Sequence, residues 1–140
     1  MPSATSADVL AQRRRLILGG DADGFADLFA PDGVIELPFA PPGAPSRLEG
    51  REAIREYARH FVALPLRLED FEVAALYQTQ DPEVVIVEMR TNATVTTTGQ
   101  SFAATSIQIL RIRGGQIVLF RDFANPRVLE DATREPRPES

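Results

Sequence analysis

The pattern of hydrophobic and polar positions divides the chain into an N-terminal part with helical spacing and a C-terminal part with strand spacing. Three segments have helical spacing: residues 7–18, a short stretch after Asp21, and residues 50–61. In the third, apolar residues recur at i, i+3, i+4 and i+7 and form one stripe along the helix: Ile54, Tyr57, Ala58 and Phe61. Asp21 is a suitable N-cap for the second helix, in which Phe25, Leu28 and Phe29 repeat at helical spacing. Three N-terminal helices are therefore predicted.

Strand-like segments follow, rich in β-branched and aromatic residues. A turn at 31–33 precedes a short strand at 34–37, and the proline-rich stretch 38–47 reads as a loop. Four long strands come next: 66–78, 83–98, 100–113 and 116–124. Turns at 79–82, Gly99 and Gly114-Gly115 join them into an antiparallel meander. Helices followed by strands predict an α+β fold with helices packed on a curved antiparallel sheet.

The sequence pattern predicts one domain followed by a tail. Residues 1–126 are predicted to form a single domain, and residues 127–140 are predicted to be a frayed tail, because they offer little to pack.

The long strands are apolar on both faces. Ile107 and Ile109 face one way, whereas Leu110 and Ile112 face the other. The last strand is also predicted to carry apolar residues on both faces, with Ile117, Leu119 and Phe123 on one face and Val118 and Phe120 on the other. Three helices cover one face, so the other is expected to meet a second copy of the chain in a homodimer.

Composition narrows the chemistry. The 140 residues are 44% apolar with a net charge of −5, which argues against a nucleic-acid partner. No apolar run is long enough to span a membrane, and no secretory signal begins the chain, so a cytoplasmic location is expected. The chain has no Cys, no Lys and one His, and it lacks both phosphate-binding glycine motifs. Neither a metal nor a cofactor is expected, and any catalysis is expected to be acid–base chemistry.

Asp122 is the most conspicuous candidate residue. It lies within the last strand and shares a face with Val118 and Phe120. In an apolar pocket, burial would raise the pKa of its carboxyl toward a range useful for proton transfer. The alternative is a structural ion pair with Arg90 or Arg111, or exposure at the strand end.

Two further groups of polar residues each have two interpretations. Gln108 and Ser106 lie among apolar residues, where they suit pocket hydrogen bonding or a satisfied core. Glu88, Arg90 and Asn92 share one strand face, which is either a polar cavity wall or a solvated strip. His60 lies off the helical stripe and is expected at the surface. The three arginines at 13–15 read as a solvated helix face, with Arg13 the one that could point toward a pocket.

The order of these segments resembles the NTF2-like superfamily, in particular its SnoaL-like branch. The resemblance rests on "GDADGFADLFAPDGVIELP", "LEGREAIREYARHF", "DPEVVIVEMR" and "RIRGGQIVLFRDFANP" and covers residues 7 to 126. It implies a cone-shaped fold with a pocket between helices and sheet, and a dimer through the sheet.

Within that superfamily, the resemblance also distinguishes reactions. The catalytic aspartate of ketosteroid isomerases corresponds to Leu37, and their oxyanion-hole residues correspond to Arg13 and Gln108, so steroid isomerisation by that mechanism is not expected. The acid–base aspartate of SnoaL-like cyclases aligns with Asp122. "RDFANP" also resembles the "REF-x-N-P" motif of phenazine-biosynthesis A/B-type proteins, with Asp in place of Glu.

The sequence thus predicts a SnoaL-like enzyme that performs cyclase- or isomerase-type chemistry on a hydrophobic carbonyl compound. Asp122 is the predicted catalytic residue, and the predicted substrate-binding residues are Tyr57, Gln108, Leu37, Phe39, Phe61, Phe120 and Arg90. The loop 38–47 is expected to cover the pocket mouth. The alternative is a non-catalytic ligand-binding or dimeric scaffold protein, in which Asp122 is paired with an arginine.

Overall fold

A computed structural model of the chain describes residues 5–133. It contains four helices and six strands among those residues, in this order: α1 (Ser6–Leu18), α2 (Ala22–Asp27), β1 (Phe29–Glu36), β2 (Arg47–Glu49), α3 (Arg51–Val62), β3 (Leu66–Gln78), β4 (Val84–Val95), β5 (Ser101–Arg113), β6 (Gln116–Phe123) and α4 (Pro126–Thr133). The fold is α+β, with three helices ahead of the long strands and a fourth after them.

Side-chain caps start the first two helices. Thr5 and Asp8 form a reciprocal capping box at the start of α1. Asp21 accepts a hydrogen bond from the backbone N–H of Gly24 at 2.8 Å and so caps α2, as its sequence indicates. The expectation that Phe29 continues α2 is wrong. Phe29 begins β1, because its backbone pairs with Ile117 of β6 instead of extending the helix.

The six strands form one sheet in the order β2-β1-β6-β5-β4-β3. The strands β3 to β6 are antiparallel neighbours, as predicted. The sheet as a whole is nevertheless mixed, because β1 runs parallel to β6. A register shift between Phe29 and Val34 takes up residues 31–33, so the predicted turn is an irregularity inside β1. Further register shifts lie in β3 and between β5 and β6, where they bend the strands and curve the sheet.

One face of the sheet carries the helices and the hydrophobic core. Val9 and Leu10 of α1 and Ile54 of α3 are buried against strand residues that include Val87 and Leu110. Ile117 also belongs to this core, although strand alternation placed it opposite Phe120. The reason is the register shift in the β5–β6 pairing, which leaves Val118 as an extra residue in β6. Alternation holds from Leu119 to Phe123.

The C-terminal prediction also requires correction. Residues 126–133 form α4 and Ala132 is buried, so this part of the predicted tail is a packed helix rather than a frayed segment. Residues 134–140 lie outside the described part. None of the helices described is both long and apolar enough to cross a membrane.

Candidate active site

A cavity of about 260 Å³ lies between the helices and the sheet. Most of its wall is apolar. Aromatic and aliphatic side chains from both layers contribute, including Phe25, Ile35, Leu37, Phe61, Phe71 and Phe120. Its volume is close to the lower end of the range for small-molecule sites, roughly 300–1,000 Å³. Such a lining favours a hydrophobic ligand.

Polar side chains also line the cavity. Asp122 comes from β6, Gln108 and Ser106 from β5, and Tyr57 from α3. Strand pairing sets Gln108 directly opposite Asp122 in the sheet. Oδ1 of Asp122 and Oε1 of Gln108 are buried and have no hydrogen-bond partner. Because Asp122 lines the cavity while its Oδ1 is shut away, Oδ2 is the carboxyl oxygen that can meet a ligand.

The surroundings of Asp122 favour its protonated form. Burial raises the pKa of the Asp122 carboxyl, and the Gln108 side chain and the charge of Arg13 lower it by less. Burial also raises the pKa of Tyr57, and the negative charge of Asp122 adds to that effect. Tyr57 is therefore held as a neutral hydroxyl that can donate a hydrogen bond.

The arginines considered as structural partners of Asp122 lie elsewhere. Arg111 forms ion pairs with Asp81 at 3.0 Å and Glu83 at 2.9 Å. Arg90 is exposed on β4, on the face of the sheet opposite the buried Val87 and Met89. The ion pair with Arg90 or Arg111 is not formed.

Of the two interpretations of Arg13, the solvated helix face is wrong. Instead of lying on a solvated helix face, it is fully buried. Its guanidinium carbon lies 5.1 Å from the ring centroid of Phe71 and 5.2 Å from that of Phe120, and Nη2 approaches the sulfur of Met89 at 3.4 Å. Burial lowers the pKa of Arg13 to about 10, against the opposing effect of Asp122. Helical spacing contained the signal, because Arg13 follows the buried Val9 by four residues.

Of the seven predicted substrate-binding residues, five line the cavity and two do not. Tyr57, Gln108, Leu37, Phe61 and Phe120 line the cavity together with Asp122.

Phe39 and Arg90 do not line the cavity, contrary to expectation. Phe39 is 56% exposed and packs edge-to-face on Phe123, with the ring centroids 5.7 Å apart. Phe123 points away from the cavity because it alternates with Asp122. None of residues 38–47 lines the cavity, so this loop does not cover the mouth. Asn125 and Val128, which sequence reasoning missed, contribute to the wall from the start of α4 and the residue before it. His60 is exposed, as expected.

Within residues 5–133, no group of three or more His, Cys, Asp or Glu side chains is arranged to hold a metal ion. The cavity therefore offers carboxyl, phenol, hydroxyl and amide groups for chemistry.

The chain is similar in sequence to known proteins. The family model of the SnoaL-like domain matches residues 12–120. A PhzA/B-like protein of Pseudomonas aeruginosa is 43% identical over 120 residues, which are 85% of this chain and 83% of that protein.

Solved structures agree on the fold. A candidate isomerase from Bacillus subtilis is 30% identical and superimposes with a TM-score of 0.85 over 91% of each chain. A Catenulispora acidiphila protein with a ketosteroid isomerase-like fold is 20% identical, with a TM-score of 0.76 over 95% of this chain and 96% of that one. A phenazine biosynthesis-related protein and two candidate polyketide cyclases, at 15–18% identity, share the NTF2-like fold.

Proposed function

This chain belongs to the SnoaL-like domain family, and we propose that it is a small-molecule enzyme that performs cyclase- or isomerase-type acid–base chemistry on a hydrophobic carbonyl compound. The observation that carries the proposal is the setting of Asp122. Its carboxyl lies in an apolar cavity and has a raised pKa. Groups in that setting are those that proteins use to move protons.

The proposed reaction begins when a ligand places the carbon next to its carbonyl group against Oδ2 of Asp122. The carboxylate takes a proton from that carbon, and the electron pair of the C–H bond moves to form the enolate. The protonated carboxyl then returns the proton to another carbon or to oxygen, which completes an isomerisation or prepares a ring closure.

Two cavity groups can stabilise the enolate oxygen. The Tyr57 hydroxyl and the amide N–H groups of Gln108 are donors that line the cavity, and both side chains interact electrostatically with the Asp122 carboxyl. A donor fixed in a water-excluding site stabilises developing charge more than water does. Leu37, Phe61 and Phe120 provide the apolar surface that binds the rest of the ligand.

The experiment uses β-tetralone, a bicyclic ketone with acidic C–H groups, as a probe. Proton–deuterium exchange at its α-carbon is followed by NMR in D₂O, with wild-type protein, Asp122→Asn and the exposed control Asp32→Asn. We expect wild type and the control to accelerate exchange, and Asp122→Asn to lose about 10²- to 10⁴-fold of that acceleration. Wild-type-like exchange in a folded Asp122→Asn protein would contradict the proposal.

The second candidate is a non-catalytic binding protein, favoured by the largely apolar wall of the cavity. Saturation-transfer NMR with the same ketone tests it. Binding at the cavity without any acceleration of exchange by the wild-type protein supports this candidate over the enzyme.

We also propose that the protein forms a homodimer through the face of the sheet that carries no helices. Ile107 and Tyr77 are 38% and 50% exposed, and the described helices leave their surface open.

A further inference from the structure

Arg13 lies directly behind the wall of the cavity. Its side chain has no exposed surface, and this includes the surface that faces the cavity. The two rings that enclose its guanidinium, Phe71 and Phe120, are themselves part of the cavity wall. Arg13 is therefore close to the site but separated from any ligand by one layer of aromatic side chains.

The guanidinium lacks the partners that a structural arginine has. Nε and Nη1 have no hydrogen-bond partner, and Nη2 meets only a thioether sulfur, a weak acceptor. No carboxylate of the described residues lies within 4.0 Å of it. A buried charge without a close partner costs stability. An apolar residue of similar length would fill the same space without that cost.

The charges of Arg13 and Asp122 favour each other, because each shifts the pKa of the other group toward its charged form. Phe120, which covers Arg13, is two residues from Asp122 and faces the same way. The buried polar atoms without partners in the described chain belong to three residues in this region: Arg13, Gln108 and Asp122. Their concentration in one place indicates a common role rather than separate packing defects.

We propose that Arg13 is a positioning residue that acts on Asp122 through its charge, from behind the cavity wall and without touching the ligand. The inference rests on the proposed function, because the charge matters to catalysis only if Asp122 carries the proton.

The physical reason is a balance of two effects on one carboxyl. Burial favours the neutral acid, whereas a positive charge nearby favours the carboxylate. Without Arg13, only the Gln108 side chain among these groups would oppose burial, and the carboxyl would shift further toward the neutral acid, which cannot accept a proton from a ligand. A guanidinium retains its charge at any physiological pH, so it is a constant source of this bias.

Other ionisable groups around Asp122 do not supply the same bias. Tyr57 from α3 is neutral, and Asp21, which lines the cavity ahead of α2, is itself acidic. Arg121 points to the other side of β6 and donates to Glu36 at 3.0 Å. The charged residues of α4 are exposed: Arg127, Glu130 and Asp131.

The test is an NMR titration of the Asp122 carboxyl in wild type, Arg13→Met, Arg13→Lys and Arg14→Met. We expect the Asp122 pKa to shift upward in Arg13→Met and to shift less in Arg13→Lys, which keeps the charge. Arg14→Met is the matched control, because Arg14 is the adjacent helix residue and pairs with Asp70 at the surface. It should leave the Asp122 pKa unchanged.

A second measurement needs no substitution. In wild type, the ¹⁵N signal of Arg13 Nε should move with the same midpoint as the Asp122 carboxyl, because coupling between two sites is reciprocal. An Asp122 pKa that is equal in wild type and a folded Arg13→Met, or an Arg13 signal that ignores the Asp122 titration, would overturn the inference. Both measurements are independent of turnover, so they separate this inference from the outcome of the exchange assay.

Discussion

At the scale of single residues, the buried polar atoms that lack hydrogen-bond partners in the described part of the chain lie in and behind the cavity wall. Asp122, Gln108 and Arg13 leave buried polar atoms without partners, whereas ion pairs on the surface are satisfied, as between Arg55 and Asp27 at 2.7 Å. Unpaired buried groups cost about 1–3 kcal/mol each, and more when charged. Selection for stability alone would remove them. Their presence in the cavity wall and directly behind it therefore supports the proposed active site, in which stability would be exchanged for reactivity.

The raised pKa of Asp122 predicts how the free energy of unfolding depends on pH. Because the folded pKa of Asp122 is raised above its unfolded value, the folded state binds this proton more tightly. The contribution is fully present below the unfolded pKa, near 3.9, and is lost as pH rises through the folded pKa. Asn mimics the protonated side chain. We therefore expect Asp122→Asn to match wild type near pH 3 and to be the more stable protein at pH 7.

Urea unfolding of both proteins across this pH range measures the difference. One pKa unit corresponds to about 1.4 kcal/mol, which sets the scale of the expected gain. The other carboxyls titrate alike in both proteins, so their contribution cancels in the difference between the two free energies of unfolding. A constant difference between pH 3 and pH 7 would show that burial does not perturb Asp122.

At the scale of elements, one carboxylate connects the β3–β4 turn to β5. Glu83, just before β4, accepts hydrogen bonds from Arg111 at 2.9 Å and from Arg113 at 2.8 Å. These bonds lower the pKa of Glu83 to about 2. A lowered folded pKa contributes stability above the unfolded value, near 4.3, and that stability is lost as pH falls toward 2.

We expect Glu83→Gln to lower the urea midpoint at pH 7 and to make little difference near pH 2. The matched control is Glu72→Gln, an exposed glutamate on the neighbouring strand β3 that faces one arginine, Arg90, across the strand pair instead of two. Equal midpoints for Glu83→Gln and wild type at pH 7 would mean that water replaces these bonds without loss, as it does for many surface ion pairs.

Helices and strands also show what periodicity can and cannot predict. The α3 stripe and the β3–β6 meander follow from local spacing, and strand alternation put Asp122 on the same face as Phe120. Strand alternation predicts the wrong face for Ile117, because Val118 forms a bulge in β6. The bulge depends on the pairing of β6 with β5, and nothing in the local sequence indicates it. The parallel pairing of β1 with β6 joins segments more than 80 residues apart, which spacing does not reveal. For Arg13 the two sequence signals conflict, because its charge predicts a surface position whereas its helical spacing from Val9 predicts burial.

At the scale of the whole molecule, the helices divide the sheet into a covered face and an open one. The covered face holds the core and the cavity, and the open face carries Ile107 beside Glu88 and Phe123. Phe39 packs on Phe123 there, so the proline-rich loop adds apolar surface to the open face instead of covering the cavity. Apolar residues in contiguous rows on an open sheet are typical of surfaces that meet another chain.

The proposed dimer predicts a specific response to one charge. Two copies should give twice the 15.4 kDa chain mass by light scattering at micromolar concentration. Ile107→Glu would bury a carboxylate at the interface, so we expect that variant to elute as a monomer. Leu64→Glu is the matched control, since Leu64 is 39% exposed against 38% for Ile107 but follows α3, away from the open face. Because Ile107 points away from the cavity, β-tetralone binding should persist in the Ile107→Glu monomer. A wild-type monomer, or a dimer that withstands Ile107→Glu, would place any contact between copies on another surface.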